Sequence, residues 1–205
     1  MKVKICGVTD VETAVTAAQY GADALGFVFA ESKRRVSVAE AQEIICHLPK
    51  EIYKVGVFVN ETSDAIEKIA STVGLTHIQL HGDEQAAFSA LLSLPVIKAI
   101  SFQGNERLAA LANFPSDFIL LDSPKGKYRG GNGTVFNWSE VDPHMINRQK
   151  IILAGGLHAD NVEEAIKIIN PFMVDVSSGV ETNGKKDLRK IKTFIETAKR
   201  TLVGR

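Results

Sequence analysis

Short β-branched, apolar runs alternate along the chain with polar-apolar segments of helical period, and this alternation constrains the fold more than any other feature. Val3–Cys6 reads as a strand, and Asp10–Tyr20 as a helix with Asp10 as N-cap and Gly21 as its stop. Ala24–Phe29 is a second strand, followed by a helix over Ser37–His47 in which Ser37 and Glu40 stand at capping-box spacing. Tyr53–Val59 with Thr62–Val73, His77–Leu80 with Glu84–Leu92, and Val96–Ile100 with Asn105–Ala112 repeat the pattern. Phe118–Leu121 precedes a long glycine-containing loop and a short helix from Trp138; Ile151–Ala154 pairs with Asp160–Ile169, and Phe172–Val176 with a final helix over about Leu188–Leu202. Strict alternation implies a parallel sheet with helices outside it. Eight such units predict closure into a single (β/α)8 TIM barrel, an α/β domain spanning residues 1–205. The competing arrangement, an open doubly wound sheet, normally carries a phosphate loop after its first strand, and Gly7-Val8-Thr9-Asp10 is no G-x-G-x-x-G.

Composition narrows the partners. With 24 Lys+Arg against 24 Asp+Glu the chain lacks the basic excess that a generic grip on nucleic acid or anionic membrane requires, so neither is expected as a partner. A small anionic ligand needs only a few local donors and remains open. Two cysteines are too few for a disulfide scaffold and suit a reducing cytoplasm. Met1–Cys6 reads as a strand rather than a signal peptide, and no apolar run approaches the roughly 18–20 residues of a membrane span. A soluble cytoplasmic protein is expected, and its length is compatible with a monomer or a homodimer.

Barrels of this kind place function on the loops after the C-terminal strand ends, which selects Cys6, Arg34, His81, Asp122, Gly155-Gly156 and Ser177-Ser178-Gly179. The loops after strands seven and eight often grip phosphate: glycines admit the backbone closely, and N–H groups and serine hydroxyls donate. A tight turn and a helix cap are the plain alternatives. These residues are followed only by Leu157, His158 and Val180, so a grip through backbone N–H groups with no lysine beneath is expected. Cys6 and Asp122 end strands one and six; facing the mouth, they form a thiol/carboxyl acid-base pair, each raising the other's pKa by like-charge repulsion. A buried apolar cysteine and a loop-capping aspartate are the competing readings. Arg34, in Glu31-Ser32-Lys33-Arg34-Arg35, suits a substrate carboxylate or is part of a solvated charge run. His81 is a polar wall of the site or a capped loop histidine. It has no partner at metal-ligand spacing, and Cys6 and Cys46 stand 40 positions apart, so no metal is expected. Strand parity puts Lys4 inside the barrel with Cys6, where it needs a counter-charge that Asp175 on strand eight could supply; a Schiff-base lysine is the alternative.

The chain resembles the phosphoribosylanthranilate isomerases of tryptophan biosynthesis over essentially its whole length. The resemblance runs through Lys4-Ile5-Cys6-Gly7-Val8-Thr9, Gly21–Phe29, Val55-Gly56-Val57-Phe58-Val59 and Gln79-Leu80-His81-Gly82-Asp83-Glu84. It continues through Leu121-Asp122, Gly130-Gly131-Asn132-Gly133 with Phe136 and Trp138, Leu153–Leu157, and Asp175–Glu181. Lys33 and Asn132 depart from the usual proline and serine or threonine. The resemblance implies an Amadori rearrangement of a phosphorylated small molecule without a cofactor. It makes Asp122 the general acid, Cys6 the general base, Arg34 the holder of the anthranilate carboxylate, and the loops around Gly156 and Ser177-Ser178 the phosphate grip.

Two rivals stand beside it. A related phosphate-binding barrel, an indole-glycerol-phosphate synthase or a ribulose-phosphate epimerase, expects strand-end lysines and glutamates or acidic and histidine metal ligands; Lys98 is the only other well-placed lysine. A catalytically idle scaffold barrel would be signalled by loss of Cys6 or Asp122, and both are present.

Overall fold

A computed structural model describes residues 1–106, 108, 114–123, 136–142 and 150–201. Eight parallel strands close in sequence order: β1 (Lys2–Cys6), β2 (Ala24–Val28), β3 (Tyr53–Phe58), β4 (His77–Leu80), β5 (Val96–Ser101), β6 (Phe118–Asp122), β7 (Ile151–Leu153) and β8 (Met173–Val176), which pairs back to β1. The described helices outside are α1 (Val11–Gln19), α2 (Val38–Cys46), α3 (Ser63–Val73), α4 (Ala86–Ser89), α5 (Val162–Ile169) and α6 (Leu188–Arg200). The helix expected over Asn105–Ala112 falls mostly, and Gly130-Gly131-Asn132-Gly133 wholly, outside the described residues.

Local chemistry sets the element ends. Asp10 caps α1 by accepting from Thr13 N, Ser37 and Glu40 form the reciprocal capping box of α2, and Asp187 accepts from Arg189 N and Lys190 N at the start of α6. The fourth helix is a single turn rather than the expected Glu84–Leu92. Glu84 is drawn instead into a buried ion pair with Lys98 at 2.6 Å and accepts backbone N–H groups from Asn60 and Gly82. The segment from Trp138 is a 3-10 turn, Trp138–Glu140.

The two-residue period of the strands divides the core into two. Ile5, Leu25, Phe27, Ile78, Leu80, Leu121, Leu153 and Val174 point outward and pack under the helices. Ala24, Val55, Ile97, Ala99, Leu120, Ile152 and Met173 fill the barrel. At its N-terminal end Tyr53, Phe118 and Phe172 pack against this inner cluster, and the Lys2 ammonium lies 4.8 Å from the Tyr53 ring centroid and 5.0 Å from that of Phe172. That end is closed, so inward polar side chains matter at the other.

Candidate active site

Among the described residues the inward polar side chains that are buried are Lys4, Gln79, Asp122 and Asp175. Lys4 pairs with Asp175 across the β1–β8 register, with Nζ 2.9 Å from Oδ1, as strand parity led one to expect. A Cβ built on Gly26 would stand 2.8 Å from the Cys6 Sγ and 3.2 Å from the Lys4 Nζ, so thiol and ammonium crowd the same bare patch of β2. Burial disfavours the Lys4 charge, but Asp175 and Cys6 outweigh it and raise its pKa. Burial pushes the Cys6 thiol up; Lys4 and Lys186 pull it down, and Asp175 pushes it up again. The carboxylate acting on the thiol is therefore Asp175, not Asp122 as the sequence suggested. Parity shows which residues face inward but not how far apart they lie across the barrel.

Asp122 ends β6 buried at the rim and accepts Ser123 N at 2.8 Å through Oδ1. Its Oδ2 faces the His81 Nε2 at 3.5 Å, which makes His81 a wall of the site rather than a loop cap. Gln79 holds the other side of that imidazole, its amide 3.4 Å from Nδ1. In the closed order β1 and β6 are separated by β7 and β8, so Cys6 and Asp122 flank the mouth from different sides.

The loops after β7 and β8 lock together. A Cβ on Gly179 would collide with the Leu157 carbonyl oxygen, and one on Gly155, at φ +82°, with Ser123 N, so both loops need glycine to approach each other and the Asp122 strand end. Among the described residues the backbone N–H groups of Gly155, Gly156 and Ser178 donate no hydrogen bond, and the Ser178 hydroxyl has no partner. Ser178 and Gly179 open a one-turn 3-10 helix, Ser178–Val180.

Two expectations are corrected here and one open alternative is decided. Ser177 offers no free hydroxyl, because its Oγ donates to the Cys6 carbonyl at 3.0 Å and accepts from Lys186. A lysine does stand against loop eight: the Lys186 Nζ donates to Ser177 O at 2.9 Å, to its Oγ at 3.3 Å and to Glu181 Oε1 at 2.7 Å. Arg34 is no solvated run, since Nε and Nη2 donate to the two Glu181 carboxylate oxygens at 2.6 and 2.9 Å. Glu181 and Lys186 come from a hairpin the sequence reading missed, β9 (Glu181–Thr182) with β10 (Lys185–Lys186). Its signal was present: Asn183-Gly184, at φ 53° and 77°, is the favoured two-residue turn with both dihedrals positive. Lys98, the lysine on which the synthase reading leaned, points out of the barrel to Glu84 and Gly82 O and is absent from the mouth.

Among the described residues no group of three or more His, Cys, Asp or Glu is placed to hold a metal ion, and no helix is long and apolar enough to cross a membrane. Fold and rim define the class: a (β/α)8-barrel enzyme with its ionisable groups gathered at the C-terminal mouth. The family model described as N-(5′-phosphoribosyl)anthranilate (PRA) isomerase matches residues 3–197. An N-(5′-phosphoribosyl)anthranilate isomerase of Bacillus mycoides (strain KBAB4) is 56% identical over 201 residues, covering 97% of this chain and 98% of the relative. The crystal structure of phosphoribosyl anthranilate isomerase from Thermotoga maritima superposes with a TM-score of 0.87 at 42% identity, covering 97% of this chain and 98% of that one. A further structure of such an isomerase, in complex with reduced 1-(o-carboxyphenylamino)-1-deoxyribulose 5-phosphate, gives a TM-score of 0.86 at 40% identity with the same coverage. The chain belongs to the N-(5′-phosphoribosyl)anthranilate isomerase family.

Proposed function

We propose that this protein isomerises N-(5′-phosphoribosyl)anthranilate to 1-(o-carboxyphenylamino)-1-deoxyribulose 5-phosphate, a step of tryptophan biosynthesis, by general acid-base catalysis within a single barrel domain. The observation that carries the reading is the placing of an inward thiol, Cys6, and an inward carboxyl, Asp122, at two separated strand ends of one mouth, next to unpartnered backbone donors.

The phosphate sits on the N–H groups of Gly155, Gly156 and Ser178, with the Ser178 hydroxyl beside them, and the anthranilate carboxylate on the N–H groups of Arg34 that Glu181 leaves unused. These two anchors hold the furanose between Asp122 and Cys6. Asp122 gives a proton to the ring oxygen as the C1′–O4′ bond breaks. The bonding pair stays on oxygen, and the nitrogen lone pair closes a C1′=N iminium. That cation acidifies the C2′–H and favours a thiolate beside it, offsetting the burial that holds the Cys6 thiol up. Cys6 takes the proton, the C–H pair becomes a C1′=C2′ bond, and the iminium electrons return to nitrogen. The resulting enolamine tautomerises to the ketone. C2′ loses two electrons and C1′ gains two, so the reaction balances internally and calls for no external oxidant or reductant.

The direct test is turnover of the synthesised substrate by the purified protein, followed as loss of anthranilate-type fluorescence. An idle scaffold barrel or a synthase-type enzyme leaves the signal unchanged or makes a different product. The phosphate seat has its own test. Gly156→Asp places a carboxylate beside the phosphate at a position with φ 65°, a conformation aspartate tolerates. KM is expected to rise by at least about tenfold, corresponding to roughly 1.4 kcal/mol. An unchanged KM places the phosphate elsewhere.

A further inference from the structure

Glu181 belongs to none of the groups assigned above, yet its carboxylate is held by two cationic side chains at the mouth. Its side chain is 9% exposed, and it receives two N–H donors from Arg34 and one from Lys186. Burial alone would favour the neutral acid, but the hydrogen bonds and charges of Arg34 and Lys186 outweigh it and hold the carboxyl down at about 2. The carboxylate is therefore ionised at neutral pH.

We propose that Glu181 is the positioning residue of the substrate-carboxylate site: it clamps one edge of the Arg34 guanidinium so that the other edge faces the mouth, and through Lys186 it ties that orientation to loop eight. The proposal rests on the reading that Arg34 takes the anthranilate carboxylate. Arginine carries five N–H donors in a planar fork. Nε and one Nη2 proton are spent on Glu181, leaving the second Nη2 proton and both on Nη1. The Nη1/Nη2 end is a second parallel pair of the shape a carboxylate accepts. An arginine without that clamp, at a position where its side chain is 22% exposed, has many rotamers open to it, and ordering it falls on substrate binding. The coupling reaches further. Lys186 holds the Ser177 carbonyl and hydroxyl, and the Ser177 hydroxyl holds the Cys6 carbonyl. One carboxylate thus links the groups assigned to the anthranilate, the phosphate and the proton.

Removing the negative charge has an opposing effect, since a mouth left with two uncompensated cations attracts any anion more strongly. On the phosphate, common to both substrates, that attraction cancels in a ratio; on the anthranilate carboxylate it would raise selectivity, so a fall in selectivity reports the lost clamp. The test is therefore the selectivity, in kcat/KM, for N-(5′-phosphoribosyl)anthranilate over the carboxylate-free N-(5′-phosphoribosyl)aniline. It is measured in the wild type, Glu181→Gln, Glu181→Asp and Arg34→Ala. The amide introduced by Glu181→Gln would turn an N–H toward one of the cationic donors and break the two-point clamp. Selectivity is expected to fall about tenfold in Glu181→Gln, through KM for the anthranilate substrate, with kcat changed by less than about threefold. Glu181→Asp, which keeps the charge but retracts it, is expected to lose about threefold and gives the reading if Glu181→Gln does not fold. Arg34→Ala is expected to lose roughly ten- to a hundredfold in selectivity. Unchanged selectivity in both Glu181 variants, beside a discriminating Arg34→Ala, overturns the proposal while leaving the carboxylate site standing. Equal loss on both substrates in Arg34→Ala removes that site and the proposal with it.

Discussion

Asp122→Asn is expected to lower kcat by about 10²–10⁴, because an amide cannot deliver a full proton to the departing ring oxygen. The fold should tolerate the change. Asparagine keeps an acceptor for Ser123 N, the partner that fixes the Asp122 Oδ1, and fills the same space beside Gly155 and His81. A melting temperature close to wild type together with the rate loss is the expected pattern. Near-wild-type turnover would take the acid role from Asp122 and move it to the neighbouring His81, whose Nε2 lies 3.5 Å from Oδ2.

The largest effect on stability is expected inside the barrel. Lys4 is fully buried, and Lys4→Met leaves the buried Asp175 carboxylate without its cation. Breaking one side of a buried pair destabilises by about 3–5 kcal/mol, which for a chain of this size lowers the melting temperature by on the order of 10 °C. Removing both charges, as in Lys4→Met with Asp175→Leu, should restore most of that loss, since no uncompensated ion remains. The single variant should also push the Cys6 thiol further up, because Lys4 is the first of the cations that pull it down. Alkylation rate against pH, measured on a Cys46→Ala background to remove the exposed second thiol, reads that change. A single variant as stable as wild type would mean that Asp175 finds another partner and that the pair is not what secures the barrel interior.

These effects divide along the line between what the sequence reveals and what it hides. The barrel was legible because eight strands must each bury both faces, so each shows as an apolar run with a helical segment behind it. Lys4 and Cys6 could be placed on the inner face, and Lys4 paired with Asp175, because a strand's parity and its neighbour in a closed barrel follow from chain order alone. Asp122 stood out as a carboxylate ending an apolar strand. Distances across the barrel are not legible, so the sequence does not show that the carboxylate acting on the thiol is Asp175. The fourth helix is shorter than its helical period predicts, because Glu84 is claimed by Lys98 on the next strand. The contacts of Lys186 with loop eight and of Glu181 with Arg34 escape the sequence for one shared reason. Both partners sit on a hairpin with two residues in each strand, too short for any periodicity, and only its Asn183-Gly184 turn marks it. That hairpin brings a carboxylate 147 positions away in sequence onto Arg34.

The central claim is that Cys6 takes a proton from carbon after Asp122 has opened the ring, and substrate deuterated at C2′ tests it most directly. Cys6→Ala should still open the ring, so that borohydride traps the open-chain iminium with its deuterium in place. Release of deuterium to water should fall with product formation by about 10²–10⁴. Deuterium released from Cys6→Ala at the wild-type rate would contradict the account, because some other group would then be removing the C2′ proton.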